Sequence, residues 1–174
     1  MDTSRPAPLQ AVDLLVILKL AALGQPAASV RLVADEIGLS KSAVALSLHR
    51  LQALGLRDEA GARRINKLAL RECLQHAVRW IAPADIGPSR AGLPTAHAAP
   101  PLSSKLTGGD DPRRHPPPPR TYAGESGHAA ASARTRRRRA RDPKLLVLLA
   151  LVDAFRIGRA RDRQVAAAEL GACL

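Results

Sequence analysis

Residues 34–51, ADEIGLSKSAVALSLHRL, contain two short helical patterns that meet at a tight turn. Gly38 stands at the turn, where a positive φ favours glycine. Ser40 is a preferred N-cap residue and predicts a helix over about 41–54. Ala34 is small where the first helix would cross the second, so the two backbones can approach closely. The stretch therefore predicts two helices that pack against each other across the turn.

The predicted helix after Ser40 has one apolar stripe and one open side. Val44, Leu48 and Leu51 follow each other at spacings of four and three, as expected for residues that pack on one side of a helix. The opposite side presents short and polar side chains, namely Lys41, Ser42, Ala45, His49 and Gln52. We therefore expect one side of this helix in a core and the other side available to a partner.

The run VADEIGLSKSAVALSLHRLQALGL, together with residues 56–65, resembles the winged helix-turn-helix transcriptional regulators, especially the MarR-like group. The resemblance covers about residues 10–66, roughly a third of the chain. It implies that the helix after Ser40 enters the major groove of DNA. It also implies a β-hairpin wing, formed by 56–58 and 63–65, that touches the DNA backbone or minor groove. An irregular loop is the alternative for this short segment.

Eight residues are candidates for DNA contacts. The helix N-terminus presents backbone N–H groups that favour a phosphate, and a small side chain nearby lets the backbone approach the bases or touch a thymine methyl. Arginines that flank the wing suit phosphate contacts. The candidates are Lys41, Ser42, Ala45, His49, Arg50, Arg57, Arg63 and Arg64. Leu46 departs from this pattern, because an exposed apolar side chain better suits a protein partner.

Further helices are predicted on both sides of this motif. Side chains that suit N-caps precede three of them, at Ser29, Asn66 and Asp142. The predicted helices span 9–23, 30–37, 67–80, 144–157 and 159–170. The helix at 144–157 is apolar on more than one side. It therefore either inserts into the N-terminal core or pairs with a second chain.

A Pro-, Gly- and Arg-rich segment separates the two groups of helices, and the predicted fold class is mainly α with a small β-hairpin wing. We expect a winged helix-turn-helix domain with a trailing helix at 9–82, an extended and largely disordered linker at 83–141, and a C-terminal helical hairpin at 142–174. Because the first part of the linker keeps Ile86, Leu93 and Leu102, the alternative for that part is that it lies over the domain. Within the linker, the arginine run 136–139 has three interpretations. It is a solvated segment, a non-specific phosphate tether, or the product of a translation-frame anomaly.

The composition narrows the function classes. A net charge of +12 favours a polyanionic partner, with nucleic acid the usual one. The two cysteines and five histidines have no metal-ligand spacing, and no phosphate loop or Ser–His–Asp pattern occurs, so no enzyme, cofactor or metal is predicted. The apolar run 145–152 is too short to cross a bilayer, and residues 1–10 lack a signal-peptide pattern. We therefore expect a cytoplasmic protein with no membrane partner.

These patterns predict a DNA-binding transcriptional regulator whose partner is double-stranded DNA. The C-terminal helices are expected to supply the interface of a homodimer, which suits the two-fold symmetry of many operators. The sequence indicates no effector. The alternative is a protein-interaction module, such as an adaptor or an antitoxin-like partner, built on a winged-helix scaffold.

Overall fold

The protein is mainly helical, as its sequence predicts. The computed structural model describes residues 7–24, 28–58, 64–84, 95–106 and 141–174. Its α-helices, in chain order, are α1 (Ala11–Leu23), α2 (Val30–Ile37), α3 (Lys41–Ala53), α4 (Lys67–Glu72), α5 (Val78–Ile81), α6 (Leu102–Leu106), α7 (Pro143–Ile157) and α8 (Ala160–Cys173). A π-helical turn, Cys73–Ala77, joins α4 to α5, and a 3-10 helix, Ala96–Ala98, precedes α6.

The turn between α2 and α3 forms as the sequence predicts. Gly38 ends α2 with a φ of 72°, in the left-handed region, and its N–H donates to the Ala34 carbonyl at 2.9 Å. The Ser40 hydroxyl caps α3 by accepting a backbone N–H of the first turn at 3.1 Å. Val44 and Leu51 on α3 are fully buried. The cap and the buried stripe together fix the direction of α3 relative to α2.

The segment after α3 turns back on itself. Arg57 and Ile65 form an antiparallel bridge, and the Asp58 N–H donates to the Arg64 carbonyl at 2.8 Å. In the ranges that the structure describes, this bridge is the one β-pairing, and no strand forms. The connecting residues 59–63 lie outside those ranges. In the described residues, the two arms of the predicted hairpin are therefore joined by this bridge and by backbone hydrogen bonds on either side of it, the second from the Asn66 N–H to the Leu56 carbonyl at 3.0 Å.

One apolar core unites helices from both ends of the chain. α1 is buried from 13 to 20, and α7 is buried from 148 to 156. α7 packs against α1, α5, the 3-10 helix and α8. The predicted helix 144–157 therefore inserts into the N-terminal core. Apolar side chains cover much of its circumference, and the core buries them. Any homodimer must use a surface other than the buried sides of α7.

Part of the predicted linker is folded onto this core. Residues 95–106 contain the 3-10 helix and α6, and the side chains of Thr95, Leu102 and Leu106 are buried. The prediction of an extended segment over 83–141 does not hold for this part, because these side chains anchor it to the helices. Two further parts of the predicted linker, 85–94 and 107–140, lie outside the described ranges. The second of them includes the arginine run 136–139.

A buried ion pair ties two other segments to α7. The Arg156 guanidinium donates to the Asp153 carboxylate at 2.7 Å, and both side chains are 1% exposed. It also donates to the carbonyls of Ala82 at 2.5 Å and Pro83 at 2.9 Å. The Thr95 hydroxyl donates to Asp153 at 2.6 Å. These bonds hold the end of α5 and the start of the 3-10 helix on α7.

A second ion cluster joins α1, α2 and α7. Lys19 is buried, and its ammonium donates to Asp142 at 2.6 Å and contacts Glu36. Burial by itself lowers the pKa of Lys19, but the hydrogen bonds to Asp142 and Glu36 outweigh it, so the pKa is raised. Burial raises the pKa of Asp142, yet the Lys19 bond and backbone N–H bonds outweigh it and the pKa is lowered. Asp142 also caps α7 by accepting the Leu145 N–H at 3.0 Å.

The Lys19 cluster makes folding stability depend on pH in two directions. The lowered pKa of Asp142 stabilises the fold above the ordinary value of 3.8, and this contribution is lost as the pH falls through the folded value. The raised pKa of Lys19 stabilises the fold below the ordinary value of 10.5, and this contribution is lost as the pH rises through the folded value. We expect urea denaturation to show shallower acid and alkaline limbs for Lys19→Met than for the wild type.

Lys105→Met is the matched control for Lys19→Met. Lys105 on α6 pairs with Glu169 on α8, but its side chain is 53% exposed, so water screens the pair. We expect this variant to keep the pH profile of the wild type. Identical profiles for Lys19→Met and the wild type would contradict the role assigned to the Lys19 cluster.

Candidate functional site

The open face of α3 consists of five exposed side chains on one side of the helix. They are Lys41, Ser42, Ala45, Leu46 and His49. The helix is anchored by its other side, where Val44 and Leu51 are fully buried in the core. Four of these residues are candidates that the sequence places opposite the apolar stripe, namely Lys41, Ser42, Ala45 and His49. The structure exposes all four on the same side of α3. The open face is presented at a fixed orientation, because the buried stripe leaves α3 no freedom to rotate.

The N-terminal end of the open face is electropositive. Lys41 is exposed at the first position of α3. The first turn of any α-helix presents backbone N–H groups, which add a partial positive charge. The Ser42 hydroxyl lies 3.1 Å from the Ser40 hydroxyl, so both polar side chains gather at this end. The arrangement suits an anionic group such as a phosphate.

A cleft of about 380 Å³ opens beside the open face. Its walls are α3, the residues around the start of α2, and the segment at 57–58, and its lining side chains are Ala28, Val30, Ala45, Leu48, His49, Gln52, Arg57 and Asp58. Gln52 was not among the eight candidates, although its spacing of three from His49 places it one turn further along the same side. It adds an amide donor and acceptor at the C-terminal end of α3, away from Lys41.

Arg50 is turned away from the open face. Its Nε donates to Asp13 Oδ2 at 2.9 Å, and its Nη2 donates to Asp13 Oδ1 at 2.6 Å. The Asp13 side chain is 0% exposed and that of Arg50 is 16% exposed. The bonds to Asp13 raise the pKa of Arg50 despite burial. The assignment of Arg50 to DNA contacts is therefore corrected, because this bidentate pair holds α3 on α1.

The predicted wing arginines differ in exposure. Arg57 is 8% exposed and lines the cleft. Its assignment as a protruding phosphate contact is therefore corrected, because it forms part of the cleft wall. Arg64 is exposed, as predicted, and Arg63 lies outside the described ranges. Lys67 at the start of α4 is a further exposed cation close in sequence to Arg64. It was not a candidate, because the helical pattern places it beyond the wing.

No three His, Cys, Asp or Glu side chains come together in the described part of the chain in a way that would hold a metal ion. The same ranges contain no helix whose length and apolar character would allow it to cross a membrane.

Comparisons with protein-family models, with curated proteins and with solved structures found no match to this chain.

Proposed function

We propose that the protein is a DNA-binding transcriptional regulator of the winged helix-turn-helix kind, which docks α3 in the major groove of double-stranded DNA. The observation that carries the proposal is the open face of α3, whose N-terminal end bears Lys41 while the opposite side of the helix is buried. α3 has 13 residues, which corresponds to a length of about 20 Å. The major groove, about 12 Å wide, admits a helix presented in this way.

The segment around the Arg57–Ile65 bridge is the wing in the proposed complex. It follows α3 directly and forms one wall of the cleft beside the open face. A wing at this position would run along the DNA backbone while α3 occupies the groove. Arg64 and Arg63 would then contact phosphates, with Lys67 as a further cation behind them.

Electrostatic attraction is expected to provide most of the affinity in this complex. The chain carries a net charge of +12, and phosphate contacts release counterions from the duplex. Lys41 would bind a phosphate at the N-terminal end of α3. Ala45 would permit close approach of the backbone, and His49 and Gln52 would offer hydrogen bonds to base edges. Arg50 would contribute only indirectly, by holding α3 on α1.

The proposal predicts salt-dependent binding to duplex DNA that requires Lys41 and His49. We expect Lys41→Ala/His49→Ala to raise Kd about tenfold, since a hydrogen bond to a charged group contributes about 1.5–3 kcal/mol. The slope of log Kd against log salt should also fall in magnitude by about one, because one phosphate contact is lost. Fluorescence anisotropy with labelled genomic fragments at several salt concentrations measures both quantities.

Arg161→Ala is the matched control for this double variant. Arg161 is an exposed cation on α8, which does not form part of the open face or the cleft. Its removal should change Kd by about twofold at most, as expected for a surface substitution away from the site. Equal weakening in Arg161→Ala and the double variant would contradict a role for the open face. Failure to bind any duplex at low salt would refute the proposal itself.

Leu46 favours a second candidate function, a protein-interaction module such as an adaptor or an antitoxin-like partner. Its side chain is 60% exposed on the open face. A large apolar side chain exposed on a binding surface is typical of protein interfaces. Duplex binding that is insensitive to sequence and unchanged in Lys41→Ala/His49→Ala would favour this function over DNA recognition.

A further inference from the structure

Two of the five side chains of the open face, Ala45 and Leu46, are apolar, and the Leu46 side chain is 60% exposed. Helical spacing places Leu46 at one margin of the open face, next to Ser42 and His49. Ser47, which follows it on α3, is buried, and its hydroxyl lies 3.4 Å from a guanidinium nitrogen of Arg50. A group that contacts Leu46 favourably therefore presents an apolar surface to it.

The major groove of DNA presents one prominent apolar group, the C5-methyl of thymine. Every other base edge there offers hydrogen-bond donors or acceptors, which would lose water against a leucine side chain without gaining a partner. A leucine pressed into the groove is thus favoured over thymine methyls and disfavoured over the polar edges of other bases. The small Ala45 side chain beside it lets the helix approach near enough for such contact.

The charges near the open face favour DNA over a protein as its occupant. Lys41 stands at one end of the open face, and exposed Arg64 and Lys67 follow the segment that walls the cleft. A duplex places phosphates on both sides of the groove and its base edges between them, so these cations can contact phosphates while Ala45 and Leu46 contact base edges.

We propose that Leu46 and Ala45 select DNA sites by contacting thymine C5-methyl groups, so that the protein reads methyl positions where these two side chains meet the bases. The inference rests on the proposed function, since it requires α3 to lie in the major groove. It makes Leu46, which otherwise departs from a DNA-reading surface, the residue that determines specificity. A protein-interaction surface would have no such dependence on a base methyl.

Replacement of thymine by deoxyuridine tests the proposal directly, because it removes only the C5-methyl and keeps the pairing with adenine. Preferred duplexes are first selected from a random-sequence library with the full-length protein. Each thymine is then replaced singly, and Kd is measured by fluorescence anisotropy. We expect replacements at the one or two contacted positions to weaken binding roughly fourfold each, the effect of one buried methyl. Replacements elsewhere in the duplex should have no effect.

The reverse substitution and a matched leucine sharpen the test. A C·G pair at a sensitive position should bind weakly, and 5-methylcytosine at that position should recover much of the loss. Leu46→Ala should lose the sensitivity to deoxyuridine at the position that Leu46 contacts. Leu68→Ala should retain it, because Leu68 is similarly exposed, at 63%, but lies on α4 outside the open face.

The possible outcomes separate this inference from the proposed function. Selected duplexes that bind equally well with thymine or deoxyuridine would overturn methyl recognition while leaving DNA binding in place. Sensitivity to deoxyuridine that persists undiminished at every position in Leu46→Ala would also overturn it. If no duplex is selected from the library, the proposed function fails and the methyl inference fails with it.

Discussion

Arg156→Met is expected to lower the free energy of unfolding by about 3–5 kcal/mol, a large share of the 5–15 kcal/mol that is ordinary for a domain. The variant would remove the guanidinium from Asp153, whose side chain is 1% exposed. Thr95 would still donate to this carboxylate, but a hydroxyl does not neutralise a buried charge. The carbonyls of Ala82 and Pro83 would lose the same donor. Urea denaturation followed by circular dichroism measures the loss.

The segments that Arg156→Met destabilises can also be located. Arg156 binds the carbonyls of Ala82 and Pro83, and it pairs with Asp153, which accepts from Thr95. Hydrogen exchange should therefore accelerate first in the segments around these residues. Arg161→Met, the same substitution at an exposed position on α8, should stay within about 0.5 kcal/mol of the wild type. Asp153→Leu/Arg156→Met should recover part of the stability, because it leaves no uncompensated charge. A change below about 1 kcal/mol in Arg156→Met would show that the pair does not hold these segments.

The helix boundaries were largely predictable from the sequence because they depend on local chemistry. Ser29, Ser40, Asn66 and Asp142 were expected to cap the helices that follow them, and each side chain accepts a backbone N–H in the structure. A cap and its helix lie within a few residues of each other, so a short window of sequence contains both partners. The same holds for Gly38, whose turn needs only its own backbone conformation.

Interactions between distant parts of the chain were not predictable in the same way. Arg50 and Asp13 are separated by 37 residues, and Thr95 and Asp153 by 58. Helical periodicity shows which side of α3 is apolar, but it does not show that an arginine at the border of that side will find a carboxylate on α1. The one available signal was an acidic residue, Asp13, inside an otherwise apolar helix, since a buried carboxylate needs a partner.

The candidate site was predictable to a similar degree. The exposure of Lys41, Ser42, Ala45 and His49 follows from helical spacing, since these residues lie opposite the buried stripe. The burial of Arg57 does not follow from spacing, because it depends on how the bridge to Ile65 folds back over α3. Irregular segments lack the periodicity that makes exposure readable. For the same reason the sequence left open whether the segment that contains Leu102 lies over the domain, where the structure buries this side chain.

Arg50→Met is the second substitution with a large expected effect, and it distinguishes support of α3 from contact with DNA. Removing the guanidinium would leave Asp13, which is 0% exposed, with only its backbone donor, the Gln10 N–H. We expect the free energy of unfolding to fall by about 3 kcal/mol, as for other buried pairs that lose one partner. Arg50→Lys should recover part of this loss, because it restores the charge but not the bidentate geometry.

Asp13→Leu/Arg50→Met removes the buried charge together with its partner. The double variant loses the capping contribution of Asp13 to α1, about 1 kcal/mol, but it leaves no unpaired carboxylate in the core. It should therefore be more stable than Arg50→Met and should bind duplex DNA within about twofold of the wild type, since Arg50 contacts Asp13 and not the partner. If the double variant were stable but bound DNA tenfold more weakly, Arg50 would have to leave Asp13 and reach the duplex in the complex. The stability curve and the binding isotherm of one protein thus separate the two roles, because only a DNA contact lowers affinity once the fold is restored.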